Sequence, residues 1–315
     1  MRLTTLPTPR LGLGLAAVGR PGYINLGRNR DLGEDRSVDA LRTRTHTLLT
    51  AAHTAGIRYL DAARSYGRSE EFLATWLDEN PQIDDVAVGS KWGYTYTADW
   101  TTTAKKHEVK DHSLQTYDRQ RSETAALLGN RLDLYQIHSV TPDSPALTDR
   151  TLHERLAESD TPVGFSTSGP AQSDAIRAAL EITVSGKPLF STVQSTYNVL
   201  ETSASEALAE AHAAGLTVIV KEGMANGRLA GDEAPQPVRK IAEETGVGPD
   251  AIALAWILAQ PWTSFALSGA ATTTQLTANL KAEKVTLDDE QKAALATLAE
   301  PPATYWATRS ALPWH

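Results

Sequence analysis

Short runs of apolar or β-branched residues alternate with longer amphipathic stretches along the whole 315-residue chain, the rhythm of a parallel α/β fold. Eight runs predict strands: Leu11–Ala16, Arg58–Asp61, Val86–Lys91, Leu134–His138, Val163–Ser166, Thr192–Gln194, Thr217–Val220 and Ser264–Leu267. Between them, Leu48, Ala52 and Ala55 share one helical face, Phe72, Leu73 and Trp76 share another, and Ala125 and Leu128 continue a third. Ser69 ahead of Glu70 and Glu71 reads as an N-cap followed by first-turn acids, and Gly56 and Gly215 stand where helices should stop. Further helical patterns cover 148–158, 171–184, 203–214, 249–259 and 288–298. Eight strands, each followed by a helix, with no Gly/Ser/Pro linker, predict a single α/β domain over 1–315, a closed (β/α)8 TIM barrel. Three stretches are longer than barrel connections need: 17–42, 92–112 and 299–315. The first two follow strands, which assigns them to the C-terminal face where barrel active sites are built, and the third is expected as a tail over the barrel.

Composition narrows the function classes. With 30 Lys plus Arg against 38 Asp plus Glu the net charge is −8, and no basic run attracts a phosphate backbone, so nucleic acid is not an expected partner. The absence of Cys removes disulfides, thiol nucleophiles and iron–sulfur clusters. The longest apolar runs, such as the nine residues Ala251–Ala259, fall short of the roughly 20 that span a bilayer. Residues 11–19, LGLGLAAVG, imitate a signal-peptide core poorly because Gly12, Gly14 and Gly19 interrupt it. The expectation is a cytoplasmic enzyme acting on a small molecule.

The ends of the early strands carry chemistry. Asp61, Tyr66 five residues on, Lys91 and His138 would converge on one rim. The segments YLDAARSYGRSE (59–70), GSKWG (89–93), LDLYQIHS (132–139) and VGFSTSG (163–169) together resemble the aldo-keto reductases, and the similarity runs from about Leu11 to Asn279 and Leu280. That resemblance implies a catalytic tetrad of Asp61, Tyr66, Lys91 and His138, and hydride transfer from a nicotinamide to an aldehyde, ketone or sugar carbonyl with Tyr66 as general acid. The chemistry is coherent: a free tyrosine with a pKa of about 10 is a poor acid near neutrality, and an adjacent ammonium, here Lys91, would bring it toward working range. Asp61 would aim Lys91, and His138 would polarise the carbonyl.

For the cofactor, the resemblance implies Ser166 and Gln194 on the nicotinamide carboxamide, with Thr167 where the family usually has Asn. The segment VIVKEGMANGRL (218–229) matches a loop around the pyrophosphate, with Gly223, Asn226 and Gly227 in it. Lys221 departs from the aromatic residue the family commonly places there. The segment SGAATTTQLTANL (268–280) matches the adenosine-phosphate site, with Gly269, Ala270, Gln275 and Asn279 as contacts. It contains no Arg or Lys, so the family's habit points to NADP(H) while NAD(H) stays acceptable. No metal is expected. Aromatic residues at Trp92, Tyr94, Tyr96 and Trp100, and at Tyr305, Trp306 and Trp314 in the tail, offer apolar walls, with Trp92 the chosen substrate contact.

Competing readings are weaker. Gly12, Gly14 and Ala17 form GxGxxA, but Gly19, Pro21 and Gly22 block the helix that motif must open. Ser166 lies in a GxSxS rather than a GxSxG turn. His107, Glu108 and His112 miss the zinc-helix spacing by one residue and read as solvated loop. A catalytically silent nicotinamide-binding sensor of the same fold is the non-enzymatic alternative.

Overall fold

The structure, a computed structural model, describes residues 3, 6, 9–26 and 31–314; residues 27–30 of the stretch 17–42 therefore lie outside the described residues. Eight parallel strands close into a barrel: β1 (Leu11–Gly14), β2 (Tyr59–Asp61), β3 (Ala87–Trp92), β4 (Leu134–Val140), β5 (Val163–Thr167), β6 (Thr192–Thr196), β7 (Thr217–Lys221) and β8 (Phe265–Ser268). Closure is made at β1, where Leu13 pairs with Leu60 on one side and Leu11 with Ala266 on the other. The strands run in sequence order around the barrel, as right-handed βαβ connections require.

Period-two alternation divides the side chains into two apolar bodies. Tyr59, Ala87, Leu134, Ile219, Phe265 and Leu267 form a small cluster with Leu3, inside the barrel. The much larger cluster, which includes Leu60, Val88, Ile137, Phe165, Val193 and Val220, lies between strands and helices. Gly12 makes room for the inner plug, because a Cβ there would stand 2.8 Å from the Tyr59 ring and 2.9 Å from Leu267. Above the plug the inward positions turn polar, ending in Asp61, Lys91, His138, Ser166, Gln194 and Lys221.

The surrounding helices are α1 (Val38–Thr54), α2 (Ser69–Glu79), α3 (Leu114–Leu128), α4 (Arg150–Ala157), α5 (Gln172–Leu180), α6 (Ser205–Ala213), α7 (Gln236–Thr245), α8 (Pro249–Leu258), α9 (Thr273–Leu280), α10 (Asp289–Ala296) and α11 (Pro302–Ser310). Three local expectations need correction. Ser69 does not cap α2; Arg68 occupies the cap position, and the Ser69 hydroxyl instead donates to Ala63 O at 3.2 Å. The pattern over 171–184 stops as helix at Leu180, and Thr183–Val184 pairs with Lys187–Pro188 in a small hairpin. The segment of His107, Glu108 and His112, expected as solvated loop, is not one: Glu108–Lys110 pairs antiparallel with Tyr94–Tyr96 in a hairpin standing over the barrel mouth.

Candidate active site

The polar layer is built around one buried ion pair. Lys91, fully buried, donates from Nζ to Asp61 Oδ2 at 2.5 Å and to Ala62 O at 2.8 Å. The other carboxylate oxygen of Asp61 accepts from Tyr59 OH at 3.0 Å and from Gln194 Nε2 at 2.9 Å. Every Asp61 contact therefore points along a fixed direction, and the ammonium is aimed rather than mobile. Tyr66 lies beside it, its ring centre 5.0 Å from Lys91 Nζ, and meets His138 edge-to-face at 5.4 Å and 82°. The structure thus brings all four tetrad residues together, from the ends of three adjacent strands and the turn after β2.

The electrostatics differ from the simple expectation at one point. Burial dominates Tyr66 and pushes its hydroxyl well above the ordinary value of 10, with Tyr23 and Asp61 adding to the rise and Arg20 opposing it. The neighbouring Lys91 ammonium therefore does not bring Tyr66 into the working range in the cofactor-free protein. Burial also lowers Lys91 itself, against the pull of Asp61. His138 is pushed well below its ordinary value by burial and by the cations Lys91, Lys221 and Arg20, so its imidazole is neutral near pH 7. Its Nδ1 lies 3.4 Å from Ser65 Oγ; an Nδ1 that accepts from Ser65 leaves the ring hydrogen on Nε2.

A family description, aldo/keto reductase, matches residues 10–300. The chain belongs to the aldo/keto reductase family. A curated relative, the aldo-keto reductase str7 of Strobilurus tenacellus, is 25% identical over 94% of this chain and 92% of that protein. Among solved structures, the holo form of the aldo-keto reductase AKR11C1 from Bacillus halodurans superposes with a TM-score of 0.69 at 22% identity, covering 93% of this chain and 92% of that one. The glycerol dehydrogenase AKR11B4 from Gluconobacter oxydans gives 0.70 at 22% identity with the same coverage, 93% and 92%. Members of the family are NAD(P)H-dependent oxidoreductases acting on small carbonyl compounds.

The cofactor-side residues of this aldo-keto reductase fall into two groups. Ser166 and Gln194 lie in the inward polar layer; Ser166 Oγ accepts from Ser139 N at 2.8 Å, and Gln194 Oε1 is buried with no donor among the described residues. Lys221 ends β7 and donates to Thr196 Oγ1 at 2.7 Å. Burial, with Arg309 and Lys91, lowers it to about 8 against the pull of Glu222. It does not pair with Glu222, whose carboxylate is held by Arg309 of α11 at 2.9 and 3.0 Å and accepts from Thr196 at 3.0 Å.

Other positions are committed elsewhere. Thr167 points to the outer side of its strand, with its hydroxyl 2.7 Å from Ser195 Oγ. Asn279 is buried; in the amide orientation that satisfies both ends it donates to Asp250 Oδ2 at 2.7 Å and Gln275 O at 3.1 Å and accepts from Ser268 at 2.8 Å, leaving no donor spare. Gly223 is closely covered by Ile257, 2.5 Å from where a Cβ would lie. Asn226, at φ 56°, donates to Ile24 O at 2.8 Å, and Gly227, at φ 97°, faces Leu26, so this loop is closed against the β1 loop. Gly269 is exposed and Ala270 buried beside the start of α9, and Gln275 Oε1 accepts from Ala271 N at 2.9 Å.

Trp92 is not at the mouth. Lys91 takes the inward position at the end of β3, so its neighbour faces outward, and the indole is fully buried 5.0 Å from the Tyr117 ring of α3 and 6.0 Å from His112. The sequence suggested an aromatic wall but not which side of the strand it lined. Trp92→Ala is expected to lower stability by about 3–5 kcal/mol and to reduce turnover of small aldehydes and bulky ketones in the same proportion. A selective loss with bulky ketones at an unchanged Tm would return Trp92 to the pocket. Tyr94, 5.2 Å from the His138 ring, is the hairpin aromatic that reaches the tetrad. His112, expected in solvent, is buried, with Nδ1 2.5 Å from Ser144 Oγ and Nε2 2.8 Å from His138 O.

Two contributors were missed from sequence. Arg20 and Tyr23 follow β1 and carry no motif, yet Arg20 lies 5.4 Å from the Tyr66 ring centre and Tyr23 adds to the rise of the Tyr66 hydroxyl; only the length of the 17–42 stretch pointed to them. Trp314 in the tail lies over the same cluster, stacked on His107 at 4.2 Å. Among the described residues no group of His, Asp and Glu is arranged to hold a metal ion, and no helix is long and apolar enough to cross a membrane.

Proposed function

We propose that this reductase transfers hydride between NAD(P)H and the carbonyl of a small aldehyde, ketone or sugar, with Tyr66 as the general acid. The observation that carries this reading is the buried Asp61–Lys91 pair beneath a tyrosine that also touches a neutral histidine. A bound reduced nicotinamide supplies the hydride. The protein's part is to hold the carbonyl oxygen between two donors, the Tyr66 hydroxyl and His138 Nε2, so that negative charge developing on that oxygen meets fixed hydrogens. Tyr66 then gives up its proton, and Lys91 faces the resulting phenolate.

The residues present fit a nicotinamide. The unpartnered Gln194 Oε1 is suited to accept from a carboxamide, with the Ser166 hydroxyl beside it on the next strand. Lys221 would lie near the ring as a cation rather than an aromatic surface. For the adenosine end, the first amides of α9 face the rim, and Gln275 adds a side-chain group. Arg228, the nearest cationic side chain of the β7 loop, is engaged with Glu300.

NADPH/NADH selectivity is accordingly expected below about 100-fold in kcat/KM, roughly 2.7 kcal/mol, with a lean toward NADPH. A thousandfold preference for NADPH would show that a cation, Lys281 or a released Arg228, reaches the 2′-phosphate. The activity is tested by nicotinamide absorbance with a panel of aldehydes, ketones and sugars. Cofactor binding without turnover on any of them would overturn the enzymatic reading.

A further inference from the structure

Beside the tetrad lies a buried guanidinium to which the mechanism above gives no part. Arg20, only 2% exposed, follows β1 and packs among three aromatic rings, its Cζ 4.8 Å from the centre of Trp314, 5.2 Å from Tyr23 and 5.4 Å from Tyr66. Its Nη1 donates to Ser65 O at 2.8 Å and to Glu108 Oε2 on the hairpin at 2.9 Å. The backbone beneath is interlocked with the turn carrying Tyr66. Gly19 O accepts from Arg68 N at 2.8 Å; a Cβ on Gly19 would stand 2.4 Å from Tyr66 O, and one on Gly67, at φ 60°, 2.5 Å from Gly19 O. Both glycines are there because the two chains touch backbone to backbone. Arg20 therefore cannot drift relative to Tyr66, and it meets the hairpin and the tail at the same point.

We propose that Arg20 is a second cation of the proton-donor site, a positioning residue that clamps the Ser65–Tyr66–Gly67 turn and stabilises the phenolate left when Tyr66 gives its proton to the substrate oxygen. The proposal rests on Tyr66 being the general acid. Two cations lie near the ring, each paired with a carboxylate: Lys91 with Asp61 from the barrel and Arg20 with Glu108 from the hairpin. The Arg20 guanidinium is delocalised, permanently charged and able to face an aromatic ring. Facing Tyr66 are Arg20 and Tyr23 from the β1 loop, Asp61 and Lys91 from the barrel, Glu108 from the hairpin and His138 from β4. Of the charged groups outside the tetrad, Arg20 opposes the rise that burial imposes on the Tyr66 hydroxyl and Glu108 adds to that rise by less.

The two ends of this ion pair should act with opposite sign. In the oxidation direction, which needs the phenolate, the rate rises with pH through the Tyr66 ionisation. Arg20→Met is expected to move that rising limb up by about one pH unit and to lower kcat. Arg20→Lys keeps the charge and loses the fork, so the limb should stay within about 0.3 unit of the parent while kcat falls. Glu108→Gln, a part-exposed and isosteric change, should move the limb down. Tyr66→Phe is run alongside. If it retains the limb, the general-acid assignment fails, whatever Arg20 does; if it abolishes the limb, the other variants report on Arg20. Tm and cofactor affinity by fluorescence titration establish that each variant is folded, and Glu108→Gln with Arg20→Lys carries the test should Arg20→Met not fold. Limbs that stay in place, or that move in the same direction in the Arg20→Met and Glu108→Gln variants, would overturn the proposal.

Discussion

Tyr66→Phe should fold like the parent, bind the nicotinamide with unchanged affinity and lose carbonyl reduction by about 10²–10⁴-fold in kcat. The substitution removes one oxygen and keeps the ring that packs against His138, Lys91 and Arg20. In the cofactor-free protein, burial already holds the hydroxyl well above 10, so Tyr66 is fully protonated at neutral pH. A donor in reduction must start in that state, and the reduction rate of the parent should be flat through neutrality and decline only on the alkaline side. Single-turnover measurement with a saturating reduced cofactor separates the chemical step from product release. A variant that retains more than about a tenth of the parental kcat would remove Tyr66 from the acid role.

The legible part of this fold is its repeat. Alternation located all eight barrel strands because parallel strands buried on both faces must be apolar on the outer side and cannot tolerate turn residues within them. It misjudged strand ends, since Thr196 and Lys221 are polar inward residues that look like loop. Periodicity missed three helices, α7, α9 and α11. The last two are short, and α9 is rich in Thr and Asn, poor helix formers that are held by tertiary contacts and by a Thr272 cap. The tetrad was legible because its members sit at fixed offsets from strand ends. Trp92 was misread for the complementary reason: one residue along a strand is the opposite face, and no composition argument reveals which face Lys91 takes. Arg20, Tyr23 and Trp314 meet only through tertiary packing, so their shared position over Tyr66 has no local signature.

Lys91→Met should damage the protein in two separable ways. It leaves the Asp61 carboxylate buried with two neutral donors, Tyr59 OH and Gln194 Nε2, in place of an ammonium at 2.5 Å. Breaking a buried pair from one side costs about 3–5 kcal/mol, enough to lower Tm by many degrees. It also removes the cation that faces the Tyr66 phenolate, for which a loss of at least about 10²-fold in kcat is expected. The double variant Asp61→Asn/Lys91→Met distinguishes them, because the amide needs no counter-charge and can still accept from Tyr59 and Gln194. Its Tm should recover most of the deficit while kcat stays as low as in Lys91→Met. Should activity return together with Tm, the lysine holds the barrel mouth in shape and does no more, and the charge opposite the phenolate must come from Arg20 instead.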